Sequence, residues 1–143
     1  MGKVKHILLD KGNLLFSIPP ETTVFEALDI MVKKNIGALV VTENGKLKGI
    51  FTERDYARKV ILKGKSSKDT HVAEIMDYHP TVTPDTTVEE CMNVMNEKNM
   101  RHLPVLEGDK LVGLVSIGDV VKYIIDEQKY IIEHMANYIS NTK

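Results

Sequence analysis

Apolar residues recur in the same order in both halves of the chain. From Val24 to Met31 they follow the i, i+3, i+4, i+7 spacing of a helix with one buried face. Two apolar runs follow at 38–42 and 47–51, and the dipeptide Asn44-Gly45 between them is the strongest short signal for a hairpin. The pattern therefore predicts a helix and then two antiparallel strands joined by a tight turn.

The rest of the first half adds two helices and a strand. Apolar positions near the N-terminus predict a short helix that residues 11–13 end, and 14–18 predicts a strand that two prolines stop. Thr52 starts a further helix, which is predicted to run to about Leu62. Residues 63–70 are polar and predict a connector between the halves.

The second half repeats this succession at a fixed offset, after a short helical turn at 72–76. Pro20 and Pro84 lie 64 positions apart, and so do Asp55 and Asp119. Many matches at one offset indicate an internal duplication. The predicted strands of the second half are 81–84, 103–106 and 111–115. The last helix, predicted to start after Ser116, has an apolar stripe that runs almost to the C-terminus.

Each repeat reads strand, helix, strand, strand, helix. Neither repeat is large enough to bury its own sheet, so we expect the two to pack sheet to sheet about a pseudo-twofold axis. The predicted fold class is α+β: two βαββα repeats with a short N-terminal helix and a long C-terminal helix. The first repeat, with the N-terminal helix and the connector, is assigned to 1–70, and the second, with the extended helix, to 71–143.

Composition and charge narrow the class of function. The chain has 143 residues, 43% of them hydrophobic, and a formal net charge of −1, which gives no reason to expect nucleic acid or an anionic membrane as a partner. No apolar run is long enough to span a bilayer, and residues 1–10 lack the apolar core of a signal peptide. The single Cys91 excludes an internal disulfide and fits a reducing compartment. We therefore expect a soluble, cytoplasmic protein.

Both repeats carry the same short motif where a strand meets a helix. In the first, Gly49 lies three positions before Thr52, and Asp55 lies three positions after it; Ser116 and Asp119 correspond in the second. A hydroxyl three residues before an acid is typical of a capping box. A strand-to-helix corner can also bind an anion or a sugar, and a strand glycine often marks close approach of a ligand or another backbone. The residues alone leave both interpretations open.

Two tandem units that end in Gly-apolar-x-Thr/Ser-x-x-Asp resemble a pair of cystathionine-β-synthase (CBS) domains over nearly the whole chain. The run at 99–105, Asn-Met-Arg-His-Leu-Pro-Val, is also typical of that family. The resemblance implies a regulatory module, not an enzyme, that binds an adenosine nucleotide (AMP, ADP, ATP or NAD(H)) in two clefts between the repeats. It implies no requirement for a metal.

The resemblance also implies roles for individual residues. Asp55 and Asp119 would hold ribose hydroxyls, and Thr52 and Ser116 would bond ribose or phosphate. Main-chain atoms of the first strand of either repeat would read the adenine edge. The residues implied in nucleotide binding are Ser17, Ile18, Gly37, Ala38, Thr52, Arg54, Asp55, Arg58, Thr81, Val82, Arg101, His102, Pro104, Ser116, Gly118 and Asp119.

The two repeats differ where a ligand would bind. The second has Arg101 and His102 where the first has glycine and alanine. This divergence predicts one better site, which we assign to Ser116 and Asp119 together with these two side chains, with Arg54 reaching across toward phosphate. A surface ion pair and a solvated histidine are the alternatives for Arg101 and His102.

The remaining charged residues, the histidines and the cysteine give little further indication of a binding or catalytic site. Arg54 and Arg58 lie one turn apart at a helix start and favour phosphate binding, but the cationic run around them is too short and too mixed with acids for nucleic acid. The five histidines show no metal-ligand spacing, and Cys91 lies on a helix stripe, as a buried core residue does. The sequence offers no Ser/His/Asp arrangement and no phosphate-binding glycine-rich loop.

The apolar stripe of the last helix extends past what one repeat needs. Tyr130, Ile132 and Met135 would be exposed in a monomer, and an exposed apolar face usually marks an interface. We expect a homodimer through the C-terminal helices. The alternative function is a nucleotide-independent interaction module that regulates a partner enzyme. Residues 52–56 and 65–70 resemble a stand-alone bacterial and plant-organelle subgroup, and this resemblance raises a thioredoxin-type protein as that partner.

Overall fold

The computed structural model of the chain describes residues 2–12 and 15–141. The helices and strands in these ranges are α1 (Val4–Lys11), β1 (Ser17–Ile18), α2 (Val24–Lys34), β2 (Ala38–Glu43), β3 (Lys46–Thr52), α3 (Glu53–Lys59), α4 (Val88–Lys98), β4 (His102–Glu107), β5 (Lys110–Ser116) and α5 (Ile117–Asn141). The predicted α+β fold and its two repeats are confirmed. The helix end predicted at Asn13 and the strand start predicted at Leu14 lie outside the described residues.

Short local signals set the bounds of the paired helices α2 and α4. Thr23 Oγ1 accepts a hydrogen bond from Glu26 N (3.1 Å) at the start of α2, and Thr87 caps α4 in the same way. Asn35 and Asn99 end these helices in the left-handed region, with φ of 54° and 52°. Both helices therefore begin and end at short local signals in the sequence. No helix among the described residues is apolar over a length that could cross a membrane.

The helix α3 is shorter than predicted. It ends at Lys59 rather than near Leu62, and a 3₁₀ turn (Ile61–Lys63) carries the chain onward. Gly64 ends this turn with a φ of 70°, a conformation that favours glycine. A second 3₁₀ turn (Val72–Glu74) confirms the short helical turn predicted after the connector.

Each repeat contains one small sheet. In the first repeat β2 pairs with β1 in parallel and with β3 antiparallel, and in the second repeat β4 pairs with β5 antiparallel. The strand predicted at 81–84 is reduced to one parallel bridge between Val82 and Val105. Pairing stops there because Pro84 has no N–H to donate the next ladder hydrogen bond.

Three apolar clusters hold the structure together. One fills the first repeat between its sheet and α2, and a second fills the other repeat between its sheet and α4. The third lies between the two sheets, where Val40 and Ile50 pack with Leu111 and Leu114. The sheets therefore face each other, as predicted for two repeats that are too small to bury their sheets alone.

The segment that precedes each repeat packs on the other repeat. Residues 2–8, which we call the first leader segment, cross to the second repeat, where Val4 N donates a hydrogen bond to Thr86 O (2.9 Å). Residues 70–76, the second leader segment, cross to the first repeat. The hydrogen bonds of the second leader segment mirror those of the first.

Each leader segment completes the core of the repeat that it crosses to. Val72 N donates to Thr22 O (2.9 Å), as Val4 N does at the corresponding place. Val4 and Val72 are both 0% exposed, and each belongs to the apolar cluster of the opposite repeat. Full burial of a valine side chain contributes about 1.5–3 kcal/mol. No sequence pattern indicates that the leader segments cross to the opposite repeat. The boundary between the repeats that is assigned at residue 70 stays a prediction.

Gly49 and Gly113 make room for the leader segments. A Cβ atom on Gly49 would lie 2.9 Å from Met76 Sδ and 3.2 Å from Asp77 O. A Cβ atom on Gly113 would lie 2.7 Å from Leu8 Cδ2. The close approach that the sequence indicates at these strand glycines is therefore made by the protein itself.

We expect Gly49→Ala to lower the free energy of unfolding by about 1–3 kcal/mol, because the added Cβ would displace Met76 and the chain beside it. Urea denaturation followed by circular dichroism measures this. Gly118→Ala is the matched control: the nearest atom to its Cβ is Ser116 Oγ at 3.6 Å. Alanine also favours the helix there. Equal stability of the two variants would contradict this account of Gly49.

Candidate functional site

Two cavities open between the repeats. The first has a volume of about 430 Å³ and is lined by Gly37, Thr52, Glu53, Arg54, Asp55, Arg58, Asp77, His79, Lys98, Asn99, Met100, Arg101 and His102. The second has a volume of about 440 Å³ and is lined by Lys11, Leu15, Phe16, Lys34, Asn35, Ile36, Gly37, Ala38, His102, Leu114, Ser116 and Asp119. Gly37 and His102 belong to both walls and so separate the two cavities.

Each cavity combines the helix start of one repeat with the strand start of the other. The first therefore joins Thr52 and Asp55 to Arg101, while the second joins Ser116 and Asp119 to the start of β2. The predicted grouping of Arg101 with Ser116 and Asp119 is wrong. That grouping assigned residues to a site by repeat, whereas the pseudo-twofold axis builds each site from half of each repeat.

Asp55 is held in a capping box at the start of α3. Its Oδ2 accepts hydrogen bonds from Thr52 N (2.9 Å) and from Thr52 Oγ1 (3.1 Å), and Thr52 Oγ1 accepts from Asp55 N (3.1 Å). Lys59 Nζ lies 3.4 Å from Asp55 Oδ1. The residue is only 6% exposed, and burial raises the pKa of its carboxyl group above the usual range. The capping interpretation of this motif is therefore correct, and the same residues also line the first cavity.

Asp119 makes the corresponding cap with a different partner. Its Oδ2 accepts from Ser116 N (2.9 Å), and Ser116 Oγ accepts from Asp119 N (3.1 Å). Lys11 Nζ, at the end of α1, donates to the same Oδ2 at 2.7 Å. Burial alone would raise the pKa of Asp119, but the hydrogen bonds from Lys11 and Ser116 outweigh it and lower the pKa.

The first cavity carries an excess of cationic side chains. Arg54, Arg58, Lys98 and Arg101 line it, and within the described residues none of them pairs with a carboxylate. Arg54 Nη1 donates to Asn99 O (3.2 Å) and so links α3 to the other repeat.

Two of the acids on the wall of the first cavity are already engaged. Asp55 is held in its cap, and Asp77 Oδ2 accepts from Lys59 Nζ at 2.6 Å, which lowers the pKa of Asp77. The cavity therefore has an environment that suits an anion.

The second cavity is mainly apolar. Leu15, Phe16, Ile36, Ala38 and Leu114 form much of its wall. Its charged lining groups are two lysines and Asp119, and one of those lysines is the partner of Asp119. The sequence differences between the two repeats therefore give the two cavities linings of different charge.

His102 is neutral at physiological pH. Its pKa is lowered from 6.5 to about 4, mainly by burial, with a smaller contribution from the positive potential of His79 and Lys11. His79 Nδ1 donates to the carbonyl oxygen of His102 at 2.6 Å, which ties the two histidines together on the wall of the first cavity. The two residues that separate the cavities are therefore Gly37 and a histidine whose imidazole is uncharged.

Some residues implied by the resemblance lie away from the cavity walls. Ser17, Ile18, Thr81, Val82, Pro104 and Gly118 line neither cavity among the described residues. The main chain of Val82 is also occupied, because its N–H donates to Pro104 O (3.0 Å) and its carbonyl accepts from Leu106 N (2.9 Å). Their roles in nucleotide binding stay predictions.

Lys11, His79 and Lys98 line the cavities and were missed by the sequence reasoning. The repeat offset could have found Lys98, since it corresponds to Lys34 and both precede a helix-ending asparagine. No local signal could have found Lys11 or His79. Their segments reach the cavities only through the exchange of the leader segments and the chain that follows them.

The possible metal ligands and the single cysteine are two further kinds of group to place in the described part of the chain. No group of three or more His, Cys, Asp or Glu side chains there is arranged to hold a metal ion. Cys91 is fully buried, and burial raises the pKa of its thiol to about 11. Cys91 is therefore a core residue, as its position on the helix stripe indicates.

Two βαββα repeats, facing each other across a pseudo-twofold axis with a cavity on each side, define a tandem-repeat module. The CBS domain family matches residues 14–62 and 72–126, and the chain belongs to that family. CBS-domain pairs are regulatory modules.

Named relatives agree with this assignment. The chain is 42% identical over 125 residues to the mitochondrial CBS domain-containing protein CBSX3 of Arabidopsis thaliana. That match covers 83% of this chain and 61% of the length of the relative. A solved protein with CBS domains from Burkholderia ambifaria is 47% identical, with a TM-score of 0.84, over 88% of this chain and 96% of that one.

A CBS domain protein from Pyrobaculum aerophilum, solved in complex with AMP, is more distant. It is 24% identical, with a TM-score of 0.74, over 82% of this chain and 88% of that one. At this level of identity the likeness shows a shared fold.

The lowered pKa of His102 predicts acid sensitivity. Between about 4 and 6.5 the unfolded chain binds a proton that the folded protein does not, so stability falls as the pH falls through this window. We expect a loss of up to about 3 kcal/mol, which His102→Asn should remove. Urea denaturation at several pH values measures the loss, with His134→Asn on the exposed part of α5 as the control. An NMR titration of His102 with a midpoint near 6.5 would overturn the assignment.

Proposed function

We propose that this chain is a regulatory module that binds an adenosine nucleotide, of the AMP, ADP, ATP or NAD(H) type, in the first cavity. The observation that carries the proposal is the set of four cationic side chains, Arg54, Arg58, Lys98 and Arg101, that line one cavity between the repeats. Arginine in particular suits phosphate, because its planar guanidinium can donate two parallel hydrogen bonds to phosphate oxygens.

The size and lining of the first cavity suit a ligand of this class. Its volume of about 430 Å³ lies in the range of small-molecule sites. The neutral His102 ring and the side chain of Met100 offer the less polar surface that a base needs. In this arrangement Thr52 and Asp55 form the part of the wall that would meet a ribose. The AMP bound by the Pyrobaculum aerophilum protein is consistent with the proposal, but that likeness supports the fold alone.

A ligand in the first cavity would connect the two repeats. Arg54 and Arg58 come from the first repeat, and Lys98 and Arg101 come from the second. A phosphate that binds both pairs favours the arrangement in which they lie close together. The regulatory output is then limited by the difference in nucleotide affinity between the two arrangements of the repeats.

We expect Arg101→Gln to weaken nucleotide binding by about 10- to 100-fold, because it removes a charged hydrogen-bond donor from the phosphates. Isothermal titration calorimetry with AMP and with ATP measures the change. Lys33→Gln is the control, since it removes one positive charge from an exposed pair on α2, away from the cavity. If both variants bind like the unaltered protein, the first cavity is not the phosphate site.

The exposed face of α5 supports a homodimer. Val121, Ile125, Ile132 and Met135 are 44%, 48%, 63% and 60% exposed. Together with Gln128 they follow the alternating spacing of four and three residues found in a coiled-coil seam. Pairing with a second copy would cover this apolar surface and would place the nucleotide response next to an interface.

Ile132→Glu is expected to convert the dimer into a monomer, because it puts a charge in the middle of the seam. Size-exclusion chromatography with light scattering measures the mass. Asn137→Glu, an exposed position on the opposite side of the same helix, adds the same charge and should leave the dimer intact. A dimeric Ile132→Glu variant would place the interface elsewhere.

A second candidate function is a nucleotide-independent interaction module. The observation that favours it is the exposed α5 face, which could equally contact a partner enzyme such as a thioredoxin-type protein. Binding to a purified thioredoxin, measured by surface plasmon resonance with and without AMP, separates the two candidates. Binding that is unaffected by AMP and lost in Ile132→Glu would favour this second function. A cytoplasmic location is part of the proposal under either function.

A further inference from the structure

The second cavity already holds a cationic side chain at its carboxylate. Lys11 Nζ donates to Asp119 Oδ2 and to Leu114 O, both at 2.7 Å. The Lys11 side chain is 35% exposed and that of Asp119 is 23% exposed, so water screens their contact only in part. The lysine therefore lies directly beside Asp119, and both side chains line the second cavity.

The carboxylate of Asp55 also has a lysine beside it, but this lysine is placed differently. Lys59 approaches Asp55 from within α3 and is held by Ile75 O (3.0 Å) and Asp77 Oδ2 (2.6 Å). Lys59 is not part of the first cavity's wall, whereas Lys11 is part of the second cavity's wall. Of these two lysines, Lys11 is therefore the one that both contacts its carboxylate and lines the cavity beside it.

The position of Lys11 is fixed by the first leader segment. Val4 and Ile7, two turns and one turn before Lys11 in α1, are 0% and 3% exposed in the core of the second repeat. Leu8 packs against Gly113, close to the strand end that leads to Ser116. A ligand group that takes the place of Lys11 at Asp119 Oδ2 must therefore break both hydrogen bonds of Lys11 while the rest of α1 stays anchored.

We infer that Lys11 is an internal ligand of the second cavity, which it closes to nucleotides, and that it restricts the chain to one nucleotide, bound in the first cavity. This inference rests on the proposed function. It makes Lys11 the residue that determines which of the two clefts is used. Loss of the Lys11 contacts with Asp119 and Leu114 would open the second cleft.

Calorimetric titration with AMP and with ATP tests the inference through stoichiometry. The unaltered chain should bind one nucleotide per chain. Lys11→Met should bind two, and the second site should not be detectable in the unaltered protein at the same nucleotide concentrations. Asp119→Asn in the Lys11→Met background should remove the added site and leave the first.

Two control variants isolate the effect of the Lys11 amine. Lys5→Met removes a lysine from the same helix, where it pairs with the exposed Asp85 at 3.4 Å, and should keep one site. Lys11→Arg keeps a cation near Asp119 and should also keep one site. Circular dichroism confirms that each variant is folded. If Lys11→Met does not fold, Lys11→Gln, which keeps a polar donor but no charge, replaces it.

The results test the role of Lys11 and the nucleotide site in the first cavity separately. Two sites in the unaltered chain, or one site in both the unaltered chain and Lys11→Met, would overturn the role of Lys11 and leave the first cavity as proposed. No site in the unaltered chain but one in Lys11→Met, lost with Asp119→Asn, would support Lys11 and overturn the first cavity. No site in any variant would overturn both.

Discussion

The packing of each leader segment on the opposite repeat is the contact on which the rest of the structure depends. Val4 and Val72 are fully buried in cores that belong to the other repeat, and main-chain hydrogen bonds hold each segment in the same register. Neither small repeat could complete its core without this exchange. The exchange also carries Lys11 and Asp77 to the cavities, so the same contacts that stabilise the fold set the electrostatics of the site.

The pseudo-twofold axis turns a sequence duplication into two composite cavities. Because each cavity takes its helix start from one repeat and its strand start from the other, substitutions in different repeats meet in one place. Arg54 and Arg101 illustrate this: they come from different repeats, but both line the first cavity. The second cavity receives Ile36 and Ala38 at the corresponding strand start and is apolar as a result. One pair of repeats thus offers two cavities of different chemistry.

The Thr/Ser-x-x-Asp motif serves the fold in both repeats. Asp55 and Asp119 each accept a hydrogen bond from the main-chain N–H that starts the following helix, at 2.9 Å in both cases. The cap fixes the corner between strand and helix and therefore the shape of the cavity wall. The capping and ligand-binding interpretations are compatible, since a carboxylate held rigidly by its own helix start is also a fixed group on a cavity wall. The lysine beside each carboxylate is one difference between the two sites, in addition to the charge of the cavity lining.

The sequence by itself determined the elements, the duplication and the family. Caps such as Thr23, left-handed helix ends such as Asn35 and the Asn44-Gly45 turn act within a few residues, so their signals can be read from the sequence. Tertiary structure alone decided which groups meet: Lys11 and Asp119 are 108 positions apart, and Arg101 and Asp55 line the same cavity although they come from different repeats. These contacts follow from how two sheets and two leader segments pack together, and no short-range signal encodes that packing.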